Sequence, residues 1–222
     1  MIFPVRCLGC SALGLSICSL CRSQWHPHIF TRNSRSNPKF PIYSAIEYSP
    51  IAGKVLLAAK ENGLVQADEL MIDALKKSLS YCVKEQGIGM LIPIPSRPSI
   101  ARLRGRQFMC DLSEQLSKSC GLPTFENLIH VRKVRDQSAL DARARVENLA
   151  GALKGLRYLS GKAFLIDDLV TTGATLHEAA RALRELGIEA SESLLSIYQL
   201  MIDMETRHFA SQKSARAHEE PK

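Results

Sequence analysis

A chain of 222 residues is long enough for one ordinary domain with a smaller appendage. Its apolar share of 45% and charged share of 23% are those of a globular protein and exclude a disordered chain, while the few aromatics disfavour an all-β protein. The formal net charge of +7 includes basic clusters at 97–106 and 132–145, which favour either a polyanionic ligand, such as a diphosphate or a nucleic-acid backbone, or a solvated basic face.

Two C-x-x-C pairs lie near the start of the chain: Cys7, Cys10, Cys18 and Cys21. Four thiolates in two close pairs are what a tetrahedral structural Zn²⁺ requires, and a redox-active C-x-x-C or free buried thiols are the alternatives. No convincing export signal precedes the pairs, and the apolar segment 11–20 is too short for a membrane span. We therefore expect a cytoplasmic protein without membrane insertion.

Helical and strand patterns alternate along the chain after an aperiodic start. Hydrophobic spacing predicts helices over 55–60, 70–83, 107–119, 141–154 and 176–186, and apolar runs predict strands over 90–95, 127–131, 163–166 and 188–197. Such alternation is typical of an α/β fold with a mostly parallel sheet flanked by helices. The predicted division is a zinc module at 1–23, a linker at 24–45, the α/β domain at 46–200 and a disordered tail at 201–222.

The segment 163–175 runs from a buried strand through two acids and a Thr-Thr-Gly turn into an amphipathic helix. Open α/β sheets bind ligands at the carboxyl ends of their strands, and a helix N-terminus attracts anions. Five loop residues would wrap the 5-phosphate of a ribose phosphate: Thr171, Thr172, Gly173, Ala174 and Thr175. Asp167 and Asp168 would accept hydrogen bonds from the ribose hydroxyls and hold Mg²⁺ through water.

The pattern therefore predicts a site for phosphoribosyl pyrophosphate (PRPP) or a related ribose-5-phosphate ligand. The alternative is a strand-to-helix turn with a capping acid and threonine.

The segment resembles the PRPP-binding signature of the type I phosphoribosyltransferases. From about Cys7 to Ser196 the chain resembles the ComF family of ComFC-like and GntX-like proteins, which joins that fold to an N-terminal four-cysteine zinc module. The resemblance implies Mg²⁺ bound with PRPP and one structural Zn²⁺.

Residues 93–97 match the P-x-P loop of the family, which implies that Arg97 contacts the pyrophosphate. A guanidinium suits this task because it grips phosphate oxygens bidentately, although a proline-stiffened surface turn with a solvated arginine fits the same residues. Arg104 and Gly105 match the start of the common R-G-F-N-Q run. Arg106 and Gln107 depart from that run, so no role is assigned to either.

Five residues match the family pattern R…Q-x-x-L…R-x-x-N, which in related transferases lies in a mobile loop that closes over PRPP: Arg132, Gln137, Leu140, Arg145 and Asn148. A basic loop of this kind could also be solvated or bind nucleic acid. Lys60 matches a family lysine, and a cation at a helix end is the alternative interpretation.

The resemblance implies phosphoribosyl transfer to an unidentified nitrogen acceptor, with Asp167, Asp168 and Arg97 as catalytic residues and Arg97, Arg132 and Arg145 around the pyrophosphate. The family's association with natural transformation implies a role in DNA uptake, with single-stranded DNA and a helicase-like competence protein as partners. The alternative is a non-catalytic, single-stranded DNA-binding competence protein that uses the PRPP-type site as a nucleotide sensor.

Overall fold

The computed structural model describes residues 5–34, 39–134, 141–188 and 193–198, in which helices and strands alternate. The strands are β1 Phe30–Asn33, β2 Pro41–Ser44, β3 Met90–Pro93, β4 Leu128–His130, β5 Leu153–Gly155, β6 Ala163–Val170 and β7 Ser193–Tyr198. The helices are α1 Ser19–Arg22, α2 Pro50–Lys60, α3 Val65–Gln86, α4 Pro98–Arg104, α5 Phe108–Cys120, α6 Ala142–Leu149 and α7 Ala174–Arg184.

The main sheet has the strand order β1-β2-β7-β6-β3. Its β2, β7, β6 and β3 strands run parallel, and β1 pairs antiparallel at one edge. The strands β4 and β5 form a separate antiparallel pair. The predicted α/β class with a mostly parallel, helix-flanked sheet is therefore confirmed.

The two faces of the main sheet bury separate cores, because side chains of a strand alternate between its faces. On β6, Phe164 and Ile166 pack into a core shared with α2, α3 and α5. Ala163 and Leu165 pack into the opposite core, where the apolar stripe of α7 meets β4 and β5. Burial on both faces explains why β6 begins with a continuous apolar run, 163–166, and it places the polar end of β6 between the two cores.

The helix α2 begins at a side-chain cap and ends at Lys60. The Ser49 hydroxyl accepts a hydrogen bond from the Ala52 N–H at 3.1 Å, and Pro50 occupies the first turn, where it costs no backbone hydrogen bond. Lys60 is the last residue of the helix.

Within the described ranges, no helix is both long and apolar enough to cross a membrane, the 22-residue α3 included.

The segment 24–45, predicted as a linker, contains β1 and β2 of the main sheet. The side chains of β1 alternate between half-buried and exposed, and this four-residue edge strand has no fully buried face, so its sequence carries little hydrophobic pattern. Trp25 is almost completely buried and shares a core with Cys7, Cys21 and α2, so the cysteine segment packs directly on the α/β domain.

Two other elements differ from the expectations. The basic loop after β3 contains the short helix α4, which begins at Pro98. The helical stretch expected over 141–154 ends at Leu149, and β5 follows after the left-handed Gly151. The tail at 201–222 lies outside the described residues.

Candidate functional site

The acid pair lies at the carboxyl end of β6, where Asp167 and Asp168 are 9% and 6% exposed. Pairing between β6 and β7 becomes irregular from Asp167 to Val170, which marks the end of the regular ladder. The Asp168 N–H donates to the Asp167 carboxylate at 2.9 Å. Two carboxyl groups are thus held side by side with little access to water.

Lys60 forms an ion pair with Asp168, although the two residues are 108 positions apart. Burial, together with the neighbouring charge of Asp168, raises the pKa of Asp167 well above its ordinary value. Lys60 opposes this rise but does not cancel it. The pair therefore combines a buried carboxyl group with a raised pKa, Asp167, and a neighbour that forms an ion pair with a lysine, Asp168.

The loop after the acid pair connects β6 to α7. Gly173 has φ of 81° and ψ of 8°, a left-handed conformation that favours glycine, and α7 begins at the next residue. The Thr172 hydroxyl accepts a hydrogen bond from the Ala174 N–H at 3.3 Å. Arg145 donates to the Thr171 hydroxyl at 3.3 Å and Arg32 to the Thr171 carbonyl at 3.2 Å. The loop therefore combines a helix N-terminus, hydroxyls and guanidinium groups.

One cavity of about 340 Å³, here called the main cavity, brings many of the predicted residues together. Its lining includes seven of them: Lys60, Arg97, Arg145, Asp167, Asp168, Thr171 and Thr175. Thr172, Gly173 and Ala174 complete the loop without lining the cavity. Residues of α2, α6 and β6 and of the turn after β3 thus converge on one space.

Arg97 lies in the turn between β3 and α4, and its guanidinium donates to the Val134 carbonyl at 3.2 Å. Gln107 braces this turn, because its side-chain oxygen accepts from the Ser96 N–H at 2.9 Å. Arg106 instead pairs with Asp68 at 2.9 Å and Asp111 at 2.8 Å. Neither Arg106 nor Gln107 had a role from the sequence, and both now have a structural one.

Arg132 does not line the main cavity. Its guanidinium donates to the carbonyls of Asn148, at 2.9 Å, and Ala150, at the end of α6. Gln137 and Leu140 lie outside the described residues.

His130 is a site residue that the sequence patterns did not single out. It ends β4, lines the main cavity, and has its Nε2 atom 3.1 Å from the Pro95 carbonyl oxygen. Burial lowers the pKa of His130, and the nearby Arg97 adds to this effect. Its position at the carboxyl end of a predicted strand is the signal that could have identified it.

A second cavity of about 470 Å³, here called the side cavity, has three lining residues in common with the main cavity: Arg97, His130 and Val134. Its remaining lining comes from α4 and from the chain after β4, including Arg102, Arg132 and Lys133. The two cavities are therefore neighbours with a common wall.

The four N-terminal cysteines form a cluster whose sulfur atoms all lie within 4.8 Å of one another. Bonds of about 2.3 Å in a tetrahedron place sulfur atoms about 3.8 Å apart, so the cluster fits one Zn²⁺. All four thiols are free, and Cys10 and Cys18 are 3.6 Å apart. Four sulfur ligands leave no open coordination position, which suits a structural metal.

Backbone groups around Cys7 favour its thiolate form. Burial raises the pKa of this thiol, but N–H groups of Cys18, Cys10 and Gly9 outweigh it and lower the pKa to about 6. The Cys18 N–H lies 3.3 Å from the Cys7 sulfur. This is the environment expected of a metal-binding thiolate, because the ligating form of cysteine is deprotonated.

No protein-family model matches the chain. Competence protein F of Haemophilus influenzae is 33% identical over 104 residues, and the match covers 45% of this chain and 45% of that protein. The chain thus matches less than half the length of this curated relative.

The crystal structure of APRTase from Giardia lamblia complexed with 9-deazaadenine is similar over 86% of this chain and 91% of that chain, with a TM-score of 0.42 and 17% sequence identity. So distant a likeness assigns neither a substrate nor an activity to this chain. The match to competence protein F and the four-cysteine cluster confirm the resemblance to the ComF family that the sequence predicts.

Proposed function

We propose that the main cavity binds PRPP with Mg²⁺ and that the protein transfers the phosphoribosyl group to a nitrogen acceptor. The observation that carries this proposal is the convergence of the acid pair, two loop threonines and three basic residues on one cavity of about 340 Å³. Acids suit ribose hydroxyls, and cations and helix N–H groups suit phosphates, so the lining matches both halves of PRPP.

The ribose phosphate would lie between β6 and α7. Asp167 and Asp168 accept hydrogen bonds from the ribose hydroxyls, and Thr171 and Thr175 donate to the 5-phosphate. Gly173 gives the backbone the left-handed turn through which α7 begins beside that phosphate. These contacts fix the anomeric carbon with respect to the basic residues.

The pyrophosphate would face Arg97 and Arg145. In the reaction, the bond between the anomeric carbon and the pyrophosphate oxygen breaks, and its electron pair leaves with the pyrophosphate. The acceptor nitrogen forms the new bond with its lone pair and releases one proton to solvent. The two guanidinium groups stabilise the charge that develops on the leaving group, and bound Mg²⁺ supplies further positive charge there. Positioning and electrostatics then provide most of the catalysis.

The test is a titration of PRPP with Mg²⁺ by calorimetry, together with an assay for pyrophosphate release over a panel of nucleobases. The double variant Asp167→Asn, Asp168→Asn should weaken PRPP binding by at least about tenfold, which is ~1.4 kcal/mol. Arg143→Gln is a suitable control, because this exposed side chain pairs with Glu147 on the surface of α6 and lines neither cavity. Unchanged PRPP affinity in the double variant would contradict the assignment of the cavity.

A second candidate function is non-catalytic binding of single-stranded DNA, with the main cavity as a nucleotide sensor. The net charge of +7 favours it, because phosphate contacts provide affinity without sequence readout. PRPP binding without any pyrophosphate release, together with oligothymidylate binding that weakens between low and high salt, would support this function over transfer.

The proposed cellular role is in DNA uptake, in a cytoplasm that keeps the four cysteines reduced for Zn²⁺. The name of the Haemophilus influenzae relative supports this role. Complementation of a transformation-deficient strain that lacks competence protein F tests it: the wild-type chain should restore transformation, and the double aspartate variant should not. Failure of the wild-type chain would count against the role.

A further inference from the structure

The side cavity is lined by positively charged side chains. It carries four cations, Arg97, Arg102, Arg132 and Lys133, and no carboxylate is among the described residues that line it. In the part of the chain that the structure describes, none of the four forms an ion pair. The neighbouring Arg104, by contrast, pairs with Glu61.

Two of the four guanidinium and ammonium groups are fixed by backbone carbonyls. Arg132 donates to the carbonyls at the end of α6, and Arg97 donates to the Val134 carbonyl at 3.2 Å. A carbonyl hydrogen bond orients a guanidinium but leaves its full charge in place. The side cavity is therefore a pre-organised positive wall, which is the arrangement that recognises phosphate.

Phosphoribosyl transfer also requires space for the acceptor next to the anomeric carbon. The side cavity adjoins the main cavity through a shared wall, and its volume of about 470 Å³ is large enough for a nucleotide-sized molecule. Val131 and Val134 add apolar surface suited to a flat ring. A neutral acceptor would cover the positive wall without compensating its charges, which is unfavourable.

We propose that the side cavity binds the acceptor of the transfer reaction and that this acceptor carries a phosphate monoester. The inference rests on the proposed function of the main cavity. Arg102 and Lys133, with the fixed Arg132, hold the phosphate, while the nitrogen to be modified points across the shared wall toward the ribose. Two sources of such a phosphate are a free nucleotide and the 5-prime end of a nucleic-acid strand.

The test uses protein saturated with PRPP and Mg²⁺, so that the main cavity is filled before the probe is added. AMP titrated into this complex should bind with one-to-one stoichiometry and at least about tenfold more tightly than adenosine, which lacks only the phosphate. Equal binding of AMP and adenosine, or AMP binding only in competition with PRPP, would overturn the inference.

The double variant Arg102→Gln, Lys133→Gln should weaken AMP binding at least about tenfold and leave the Kd of PRPP within about twofold. A matched control, Lys118→Gln with Arg143→Gln, removes the same charge from residues outside both cavities and should leave AMP binding unchanged. An equal loss of AMP affinity in both double variants would mean that AMP binding depends only on the net charge of the protein. The side cavity would then not be the AMP site.

Short oligothymidylates with and without a 5-prime phosphate separate the two sources. Preference for the phosphorylated strand over AMP assigns the site to strand ends, and the reverse assigns it to free nucleotides. Equal binding of both oligothymidylates would show a backbone-binding surface and overturn the inference. If PRPP itself fails to bind, the proposed function fails; if PRPP binds and only the AMP selectivity is missing, this inference alone fails.

Discussion

Asp167 is a buried acid whose ionisation opposes folding. Its pKa is raised well above 3.8 by burial first and by Asp168 second. Below about pH 3.8 the carboxyl is protonated in the folded and unfolded chains alike, and as the pH rises the unfolded chain ionises first. The free energy of unfolding therefore falls from about pH 4 upward, until the pH at which Asp167 ionises in the folded chain as well.

We expect Asp167→Asn to raise Tm by about 2–4 °C at pH 8, corresponding to ~1 kcal/mol, with the gain shrinking toward pH 4. An amide oxygen can still accept from the Asp168 N–H, so the substitution keeps that bond. Melting curves over this pH range measure the effect. Asp168→Asn is the comparison and should lower Tm at neutral pH, because it removes the partner of Lys60. A Tm of Asp167→Asn that lies below the wild-type Tm, by a difference that grows with pH, would refute the expectation.

Gly173 is required by its backbone conformation, because a Cβ atom there would meet nothing within 4 Å. We expect Gly173→Ala to cost about 1 kcal/mol of stability and to weaken PRPP binding by shifting the loop. Gly121→Ala is the matched control, since Gly121 has φ of 72° at the end of α5, outside the main cavity, and equally open space. It should lose similar stability and keep its PRPP affinity. Equal PRPP affinities in the two variants would argue against a role for the Gly173 turn.

At the scale of elements, α2 connects the cysteine cluster to the acid pair. Near its start, Lys54 donates to the Gly9 carbonyl at 2.7 Å, and a Cβ atom at Gly9 would lie 2.9 Å from Ile51 and 2.6 Å from the Cys21 sulfur. At its end, Lys60 pairs with Asp168. The cysteine segment is therefore part of the packing that positions Lys60.

We expect removal of Zn²⁺ by a zinc-selective chelator, at constant Mg²⁺, to lower Tm by at least about 5 °C. PRPP affinity should fall as well, because α2 loses packing at its N-terminal end. Thiol titration reports the release of the four cysteines, and calorimetry reports the affinity. Cys120→Ser, which changes an exposed cysteine outside the cluster, should respond to the chelator as the wild type does. Chelation that frees the thiols without any change in Tm would contradict a structural metal.

At the scale of the whole molecule, the main cavity joins segments that are distant in sequence, so its ligand should stabilise the fold as a unit. PRPP with Mg²⁺ at about 100 times its Kd should add ~2.7 kcal/mol, which is about 5–10 °C in Tm for a chain of this size. Differential scanning calorimetry measures the shift. The Asp167→Asn, Asp168→Asn double variant should lose most of it, while Arg143→Gln should keep it. A full shift in the double variant would place the ligand elsewhere.

The amino-acid sequence by itself determined the features that are local in the chain. The strand, acid pair, turn and helix of 163–184 follow from hydrophobic period and turn chemistry, and the structure places them as expected. The four cysteines lie within 15 positions, so their spacing alone predicted a common cluster. The order of helices and strands likewise indicated the mostly parallel sheet.

Only the tertiary structure decided which distant residues meet. Lys60 reaches Asp168 across 108 positions, and Arg32 reaches Thr171 across 139. His130 enters the site, and Arg132 lines the side cavity rather than the main one. The physical reason is that the hydrophobic periodicity of a segment indicates which face of a helix or strand is buried. The elements that pack against that face depend on strand order and helix packing, which no short segment encodes.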